Sequence, residues 1–204
     1  MIVIPIKPEE THEWLLKKHY AKRLPNIMFA YGLFIDNKLR GVVTYGMPAS
    51  PQLCRGVCGD EYKSIVLELN RLCLLDNSKN ESSFLVANSI KLLPKPRIIV
   101  SYADTAQGHI GYVYQACNFL FTGTTKARTD MAGADGKHSR HSFGDTSLRI
   151  DRSAKHRYVI FHGSKTDKKI LKSKLNYKIE PYPKGDSKRY NSGGEVASQN
   201  LLFV

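Results

Sequence analysis

Residues 97–123 read RIIVSYADTAQGHIGYVYQACNFLFTG, and this stretch decides the predicted fold. Its β-branched run from Ile98 to Tyr102 predicts a buried strand, and the polar turn that follows is centred on Asp104. We expect a short helix that ends at Asn118, followed at once by a second apolar strand at residues 119–121. Because α/β sheets present functional groups at the carboxyl ends of such strands, Asp104 is the first candidate site residue.

The composition indicates one globular domain with a strong basic bias. The chain has 204 residues, 42% of them hydrophobic and 24% charged, and its net charge is +13. Residues 1–120 carry a net charge of +4, whereas residues 121–190 carry +10. Such a one-sided basic field favours a polyanionic partner, with nucleic acid ahead of an acidic membrane. The alternative is a protein that is basic without such a partner.

Other compositional features exclude several classes of protein. No apolar run approaches the roughly 20 residues that a membrane helix needs, so we expect no membrane partner. The N-terminal sequence MIVIPIKPEE does not have the pattern of a secretory signal. The 4 cysteines are too few for a disulfide scaffold, which makes a reducing cytoplasm the expected compartment.

The remaining sequence predicts strands and helices that alternate around the central stretch. In chain order we expect an edge strand at 2–6, a helix from Pro8, a hairpin of strands at 28–35 and 39–46, a loop insertion at 47–63, a strand at 64–75, a helix at 84–93 capped by Ser82 or Ser83, a strand at 157–162 and a basic helix at 166–175. The predicted domain covers residues 1–178, with a basic loop region at 122–156 and an extended tail at 179–204.

Several polar residues in these elements have both a functional and a structural interpretation. Asp104 is a candidate base or, alternatively, the N-cap of the helix that follows it. Tyr114 is either a proton donor or a buried core tyrosine. Arg71 lies on a central strand, where burial is costly without an anionic partner. That partner is either Glu68 or a bound donor or phosphate. Ser83 is either a donor contact or a plain helix cap.

The order of these elements resembles that of the GNAT family of N-acetyltransferases. The most specific match is YQACNF at residues 114–119, which resembles the family's LYEKLGF segment. The resemblance implies a mixed α/β fold with a splayed central sheet flanked by helices. In that alignment Tyr114 falls on the tyrosine that often serves as general acid, and residues 101–104 fall on the strand that splays to open the cofactor cleft.

A closer resemblance is to the Mom proteins of bacteriophages. The matching segments are HYAKRLP at 19–25, ELNRL at 68–72, SYAD with GHxGxxYQA within 101–116, and PYPK at 181–184. The resemblance implies an enzyme that converts adenine in double-stranded DNA to its N6-acetamido (carbamoylmethyl) form. Such a modification protects phage DNA from host restriction enzymes, in the cytoplasm of the infected cell.

The resemblance also implies roles for individual residues. Modifying N6 requires a flipped base and a means of activating a poorly nucleophilic amine. The implied catalytic residues are His19, Tyr20, Asp104 and Tyr114. The first three form an N, O, O set of the kind that binds iron. Donor binding falls to Arg71, Ser82 and Ser83, and DNA binding to Lys126, Arg128, Lys137, Arg140 and Lys155.

The sequence allows two acyl donors, acetyl-CoA and glycyl-tRNA. Acetyltransferases wrap the coenzyme A pyrophosphate in a glycine-containing loop, but the matching segment here, NSKNESS at 77–83, has no glycine. A glycyl group has the same atoms as an acetamido group, which makes glycyl-tRNA an economical alternative to acetyl-CoA. Two other functions stay open: a CoA-dependent N-acyltransferase acting on a small amine or protein, and a non-catalytic DNA-binding protein. The sequence also leaves the oligomeric state open, a homodimer included.

Overall fold

The computed structural model describes residues 1–76, 78–131 and 149–185. Seven strands of this part form one sheet: β1 (Ile2–Pro5), β2 (Phe29–Ile35), β3 (Lys38–Gly46), β4 (Val66–Leu74), β5 (Arg97–Asp104), β6 (Leu120–Thr124) and β9 (Lys155–His162). Their spatial order is β1-β2-β3-β4-β5-β9-β6. Neighbouring strands are antiparallel except for β4 and β5, which are parallel. A separate ribbon pairs β7 (Arg128–Met131) with β8 (Arg149–Arg152).

Helices cover both faces of this sheet. They are α1 (Pro8–Glu13), which continues as a π-helical turn at Trp14–Lys18, α2 (Pro51–Cys58), α3 (Glu81–Leu92), α4 (Tyr112–Ala116) and α5 (Lys165–Ser173). One core includes Leu15, Leu85 and Tyr114. The other lies beneath α2 and α5 and includes Cys58, Val100 and Leu171. The predicted mixed α/β class, a central sheet flanked by helices, is therefore confirmed.

The central prediction holds for the strand and fails for the helix that follows it. β5 runs to Asp104 and is almost wholly buried, as its β-branched sequence predicts. The predicted helix is instead split into a 3₁₀ turn at Thr105–Gln107 and the short α4. Gly108 and Gly111 separate the two pieces with φ values of 67° and 73°, a conformation that glycine adopts without steric cost. At Gly111 a Cβ atom would also meet the Tyr158 ring at 2.4 Å.

The interpretation of residues 47–63 as a loop insertion is wrong. Most of the segment is helical, with α2 followed by a 3₁₀ helix at Asp60–Ile65. Pro51 occupies the first turn of α2, and the Ser50 hydroxyl accepts a hydrogen bond from the Leu53 amide at 3.4 Å. The helix buries Cys54, Val57 and Cys58. The helical spacing of these apolar residues fixes α2 to the core. The proline and glycine content of the segment had suggested a loop instead.

Two other segments differ from their predicted outlines. The 122–156 region, expected to be a loop, contains the end of β6, the β7–β8 ribbon and the start of β9. The tail begins as an extended segment, as expected, but its residues 179–185 pack against β6. The Glu180 amide donates to the Phe121 carbonyl at 3.0 Å, and the Tyr182 hydroxyl donates to the Phe119 carbonyl at 2.7 Å. In the described part of the chain, no helix has the length and apolar character needed to cross a membrane.

Candidate functional site

The candidate site lies where the two parallel strands at the centre of the sheet separate. β4 and β5 pair from Val66 opposite Ile98 only as far as Glu68 opposite Val100, although both strands continue beyond this point. The Ser101 hydroxyl donates to a β4 carbonyl, that of Leu69, across the start of the gap at 2.9 Å. The splay expected from the resemblance is therefore present, and the diverging halves of β4 and β5 form the walls of a cleft.

A bulge in β4 precedes the arginine that lines this cleft. The ladder between β3 and β4 pairs Thr44 with Arg71 and Tyr45 with Leu69, which leaves Asn70 as the extra residue. The Asn70 amide accepts from the Thr44 hydroxyl at 2.6 Å and donates to the Asn26 carbonyl at 2.8 Å. The bulge therefore fixes the loop after α1 to the strand that carries Arg71.

Two arginines from these elements lie close together in the cleft. Burial and then the charge of Arg23 lower the pKa of Arg71, while Tyr20 and Glu68 act in the opposite direction. The Arg71 side chain donates from Nη1 to the Asn70 carbonyl at 2.6 Å, and its buried Nε has no hydrogen-bond partner among the described residues. The ion pairs in this part of the chain involve neither arginine. Two adjacent guanidinium groups without a paired carboxylate favour an anionic ligand.

Glu68 is the acid at the base of the cleft. Burial raises its pKa to about 6, although the charges of Arg71, Lys155 and Arg23 act to lower it. A carboxyl group with this pKa changes its protonation state near neutral pH, as a general base must. In the sequence, Glu68 was a candidate only as the partner of Arg71, and Arg23 was not singled out. The available signal for Glu68 was that it is the one acid in β4, a mostly apolar strand.

Asp104 has less basic character than the sequence suggested. Its carboxylate accepts hydrogen bonds from the Lys155 ammonium at 2.6 Å, the Ser153 hydroxyl at 2.5 Å and the Ala106 amide at 3.0 Å. Burial alone would raise the pKa of Asp104, but the hydrogen bonds from Lys155 and Ser153 and the Lys155 charge together lower it. Asp104 also caps the 3₁₀ turn that follows it, which was the structural alternative for this residue.

Tyr114 is wholly buried beneath the cleft. Its ring packs against Phe119 and Tyr158, with centroids 5.2 Å and 5.3 Å away. Its hydroxyl lies beside Ser101, but the Ser101 hydroxyl donates to Leu69 instead. The Tyr114 hydroxyl has no partner with hydrogen-bond geometry among the described residues. Burial raises the pKa of Tyr114 well above its ordinary value, so it stays protonated and able to donate.

His19 and Tyr20 follow the π-helical turn and stack with ring centroids 4.8 Å apart. Burial, followed by the charges of Arg71 and Arg23, lowers the pKa of His19 to about 2. The Ala21 amide donates to His19 Nδ1 at 3.1 Å, so the neutral ring carries its proton on Nε2. Burial and then the charge of Asp104 raise the pKa of Tyr20. Tyr20 therefore lies near Asp104, as the resemblance implied, and His19 is buried and neutral beside it. The catalytic roles of both residues stay predictions.

The implied iron site does not fit these residues. Within 1–76, 78–131 and 149–185, no three His, Cys, Asp or Glu side chains are grouped so as to hold a metal, and the implied set has only two such residues, His19 and Asp104, with Tyr20 as the third. Both Asp104 oxygens already accept hydrogen bonds, one of them from an ammonium. The charges of Arg71 and Arg23 act on both His19 and Tyr20. A cleft rich in cations opposes a divalent cation, so we derive no step through iron.

The predicted donor-binding serines lie inside α3 and do not cap it. The N-cap is Asn80, with φ of 68°, and the Ser83 hydroxyl donates to the Asn80 carbonyl at 3.1 Å. Ser82 lies in the first turn of the helix, after Glu81. Glu81 is only 6% exposed, and its Oε2 has no hydrogen-bond partner among the described residues. A helix start with a buried acid and no glycine is a poor site for the pyrophosphate of coenzyme A.

The residues predicted to bind DNA are only partly described. Lys137 and Arg140 lie outside the described residues. Lys155 has its ammonium in the ion pair with Asp104, which makes it part of the cleft instead of an outward contact. Arg128 lies on β7, and both Arg128 and Lys126 stay predicted DNA contacts. Burial raises the pKa of Tyr102 on β5, and the charge of Arg128 acts to lower that pKa.

The chain is similar in structure to two solved acetyltransferases at low identity. The first is NAA60 from Arabidopsis thaliana in complex with acetyl-CoA, at 13% identity and a TM-score of 0.49, covering 78% of this chain and 97% of that one. The second is an acetyltransferase of the GNAT family from Streptococcus pneumoniae, at 10% identity and a TM-score of 0.45, covering 79% and 99%.

Sequence comparison identifies nearer relatives. The chain is 29% identical over 187 residues to the methylcarbamoylase mom of Escherichia phage Mu, covering 82% of this chain and 77% of that protein. The model of the Mom protein family matches residues 1–184, which include every segment that carried the resemblance. On this match, the chain belongs to the Mom protein family.

Proposed function

We propose that this protein is a transferase that converts adenine in double-stranded phage DNA to N6-carbamoylmethyladenine, inside the infected host cell, and so protects the DNA from host restriction. Membership in the Mom family and the methylcarbamoylase name of its phage Mu relative support the reaction class. The observation that carries the proposal is the cleft itself. There, Glu68 with its raised pKa lies near Arg71 and Arg23, which form no ion pair among the described residues, and near the Tyr114 hydroxyl, which has no hydrogen-bond partner among them.

Glu68 supplies the base that the reaction needs. The N6 amine of adenine is a weak nucleophile because its lone pair is delocalised into the ring, and the base must leave the stack to be reached. With its pKa near 6, Glu68 is largely ionised at pH 7 and can take the N6 proton as the new bond to carbon forms. Asp104, whose pKa is lowered, instead holds Lys155 and the turn after β5 in place.

The remaining groups of the cleft bind the donor and assist the leaving group. Arg71 and Arg23 offer two planar cations to a phosphate of the donor. The Tyr114 hydroxyl, which stays protonated, can donate to the oxygen that leaves the acyl carbon. Tyr20, on which the charges of Asp104, Arg71 and Arg23 all act, can contact the flipped base.

A glycyl ester such as glycyl-tRNA suits this site as the donor. In the first step the N6–carbonyl bond forms and the ester C–O bond breaks. One proton passes from N6 to Glu68, and one passes from Tyr114 to the departing ribose oxygen. The resulting glycyl group already holds all the atoms of the carbamoylmethyl product, so rearrangement needs no further reactant. Coenzyme A is the less suitable donor because Glu81 is buried at the start of α3.

A non-catalytic DNA-binding protein is the weaker alternative. Burying the Glu68 carboxyl and leaving Arg71 Nε without a hydrogen-bond partner among the described residues both cost stability, and simple DNA binding gives no reason for that cost. The same holds for the Tyr114 hydroxyl, which has no hydrogen-bond partner among the described residues. Groups of this kind concentrate at sites where a ligand completes the interactions.

The direct test is to express the protein in a bacterial host, digest the host DNA to nucleosides and analyse them by mass spectrometry. We expect a modified adenosine with the mass of an added carbamoylmethyl group, and its loss with Glu68→Gln. Glu61→Gln, which removes an exposed acid from the neighbouring 3₁₀ helix, is the matched control and should leave the product unchanged. Absence of the product with wild-type protein, or its persistence with Glu68→Gln, contradicts the proposal. Purified protein supplied with glycyl-tRNA or acetyl-CoA then identifies the donor.

A further inference from the structure

A stripe of lysines runs along one face of α5, away from the cleft. Lys165, Lys168, Lys169 and Lys172 are all exposed, and their spacing of i, i+3, i+4 and i+7 places them on one side of a helix. Beside the stripe, Leu171 is 3% exposed and packs into the core beneath α2 and α5. The helix is therefore fixed to the sheet with its lysines directed to solvent. We call this stripe, with Lys95 and Arg97, the α5 basic face.

This arrangement works against the stability of the helix itself. Lys165 and Lys169 are like charges four residues apart, as are Lys168 and Lys172, and such pairs destabilise helices. Lysines in the first turn also oppose the helix dipole. The acid of this helix, Asp167, has its carboxylate engaged by the Ser164 amide and hydroxyl at 2.8 Å and 2.7 Å. The stripe is therefore not balanced by its own helix.

Basic residues from a second part of the chain extend the stripe. Burial is the main cause that lowers the pKa of His162, and the charges of Lys95, Lys168 and Arg97 lower it further. Lys95 is exposed and Arg97 is the first residue of β5. The start of α5 and the start of β5 thus contribute to one basic surface, which is what a polyanion requires.

We propose that the α5 basic face binds the sugar-phosphate backbone of the DNA duplex whose adenine occupies the cleft. The choice of DNA rests on the proposed function. The lysines are point charges without neighbouring groups arranged to read bases, so this contact is expected to be independent of sequence. Its role is to hold a long duplex while one adenine is out of the stack.

The position of the face predicts how long that duplex must be. Along β9, Lys155 pairs with Asp104 and His162 pairs with Arg97, so seven residue steps separate the two ends of the ladder. That is about 23 Å at roughly 3.3 Å per residue. Duplex DNA rises about 3.4 Å per base pair, so backbone contacts at the start of α5 lie about seven base pairs from the target adenine.

The test compares two sets of lysine substitutions by fluorescence anisotropy with labelled duplexes, in the absence of any donor. Replacing Lys168, Lys169 and Lys172 together with Gln should weaken binding of a duplex of about 30 base pairs at least tenfold. It should also reduce the slope of log K against log salt by about 3, since each phosphate contact contributes about 0.9. Binding of a duplex of about 8 base pairs, centred on the target, should not change because it is too short to reach α5.

The control replaces Lys7, Lys17 and Lys38, which are exposed elsewhere, with Gln and has the same net charge. Equal losses in both triple variants would mean that only net charge matters and would overturn the proposal. So would unchanged binding of the long duplex, or a loss seen with tRNA but not with DNA. Matching circular dichroism spectra and melting temperatures confirm that both variants fold. Because no donor is present, this result stands apart from whether the protein modifies adenine.

Discussion

The carboxylate of Asp104 and the ammonium of Lys155 lie 2.6 Å apart, at the end of the β5–β9 ladder where the two residues are paired. This ion pair accounts for two residues that the sequence assigned to different tasks, one to catalysis and one to DNA. In the structure they neutralise each other at the mouth of the cleft. The group that we propose as the base is Glu68, in the same cleft.

Replacing Glu68 with Gln should change activity and stability in opposite directions. Turnover should fall by roughly 100-fold or more, the usual contribution of a general base. The folded pKa of Glu68, about 6, lies above its ordinary value of 4.5. Ionisation of Glu68 therefore costs stability as the pH rises through this window, and Gln removes a cost of about 1–2 kcal/mol at pH 7. Denaturant unfolding at pH 5 and pH 7 measures the change; a Gln variant that is less stable at pH 7 contradicts this account.

The pH dependence of the wild-type reaction should follow the same group. Because Glu68 must be ionised to accept a proton, kcat/KM should rise with pH and level off above about 6. Arg71→Met removes a nearby positive charge, so the acidic limb of its profile should move to higher pH. Arg55→Met removes an exposed guanidinium on α2 and should leave the profile in place. If the acidic sides of the kcat/KM profiles of wild type and Arg71→Met were identical, the fall in kcat/KM at low pH would reflect the protonation of a group other than Glu68.

Arg71→Lys should weaken donor binding while keeping the charge. A lysine cannot reproduce the planar two-pronged contact of a guanidinium with a phosphate. We expect KM for the donor to rise about tenfold or more, with a smaller change in kcat. Titration of the donor at saturating DNA measures this, and Arg55→Lys serves as the control. A fall in kcat alone would place Arg71 in the chemical step instead.

Tyr114→Phe should separate the catalytic from the core interpretation of this residue. The hydroxyl has no described hydrogen-bond partner, so its loss should leave the free energy of unfolding unchanged or slightly increased, while activity falls. Tyr45→Phe is the matched control, because Tyr45 is equally buried but its hydroxyl shares a 2.6 Å hydrogen bond with Ser89. That variant should lose about 1 kcal/mol of stability and keep its activity. Full activity in Tyr114→Phe would make Tyr114 a core residue.

Asp104→Asn should reduce stability through the loss of a partly buried ion pair. The cost should be about 1–2 kcal/mol at pH 7. The folded pKa of Asp104 lies below its ordinary value of 3.8, so its contribution is present above pH 3.8 and is lost as the pH falls through the folded pKa. The stability difference between wild type and variant should therefore vanish in strong acid. Asp60→Asn, in an exposed ion pair with Lys63, should show little change at any pH.

Added ferrous iron should not raise the melting temperature of the protein. A ligand that binds the folded state raises the melting temperature by an amount that grows with the affinity of the ligand. The cleft presents cations where a metal would need anions. Differential scanning fluorimetry under anaerobic conditions, with and without chelator, measures the shift. A clear stabilisation by iron that His19→Ala abolishes would restore the metal site to consideration.

The sequence predicted those parts of the fold that depend on local patterns. β5 and the hairpin of β2 and β3 were predictable because alternating apolar residues and an Asp36-Asn37 turn specify them within a few residues. The helix α2 was missed because its proline and glycines concealed the spacing of its buried residues. The break before α4 was missed because the conformation of Gly111 depends on Tyr158, which lies far along the chain.

The cleft was predictable only in its outline. Tyr20 interacts electrostatically with Asp104, Arg71 and Tyr114. The resemblance to the Mom family implied this proximity for Tyr20 and Asp104, and the catalytic roles of these residues stay predictions. The basicity of Glu68 was not predictable, because it results from burial in the assembled sheet, which outweighs the opposing charges of Arg71, Lys155 and Arg23. The same is true of the Lys155 ion pair, which requires β9 to pair with β5. The protonation state of a side chain depends on the assembled sheet, whereas the position of a strand can be predicted from residues that are neighbours in sequence.

The contact between α4 and residues 179–185 also bears on when the enzyme becomes active during its synthesis. Gln115 on α4 donates to the carbonyl of Ile110 at 2.9 Å, to the Tyr158 hydroxyl at 3.2 Å and to the Pro183 carbonyl at 3.4 Å. Of these three partners, Pro183 is added to the chain only when the ribosome has reached residue 183. A nascent chain that still lacks that segment is without one of the three hydrogen bonds that hold Gln115. We therefore expect α4, and with it Tyr114, to be held less firmly until residues 179–185 have been translated.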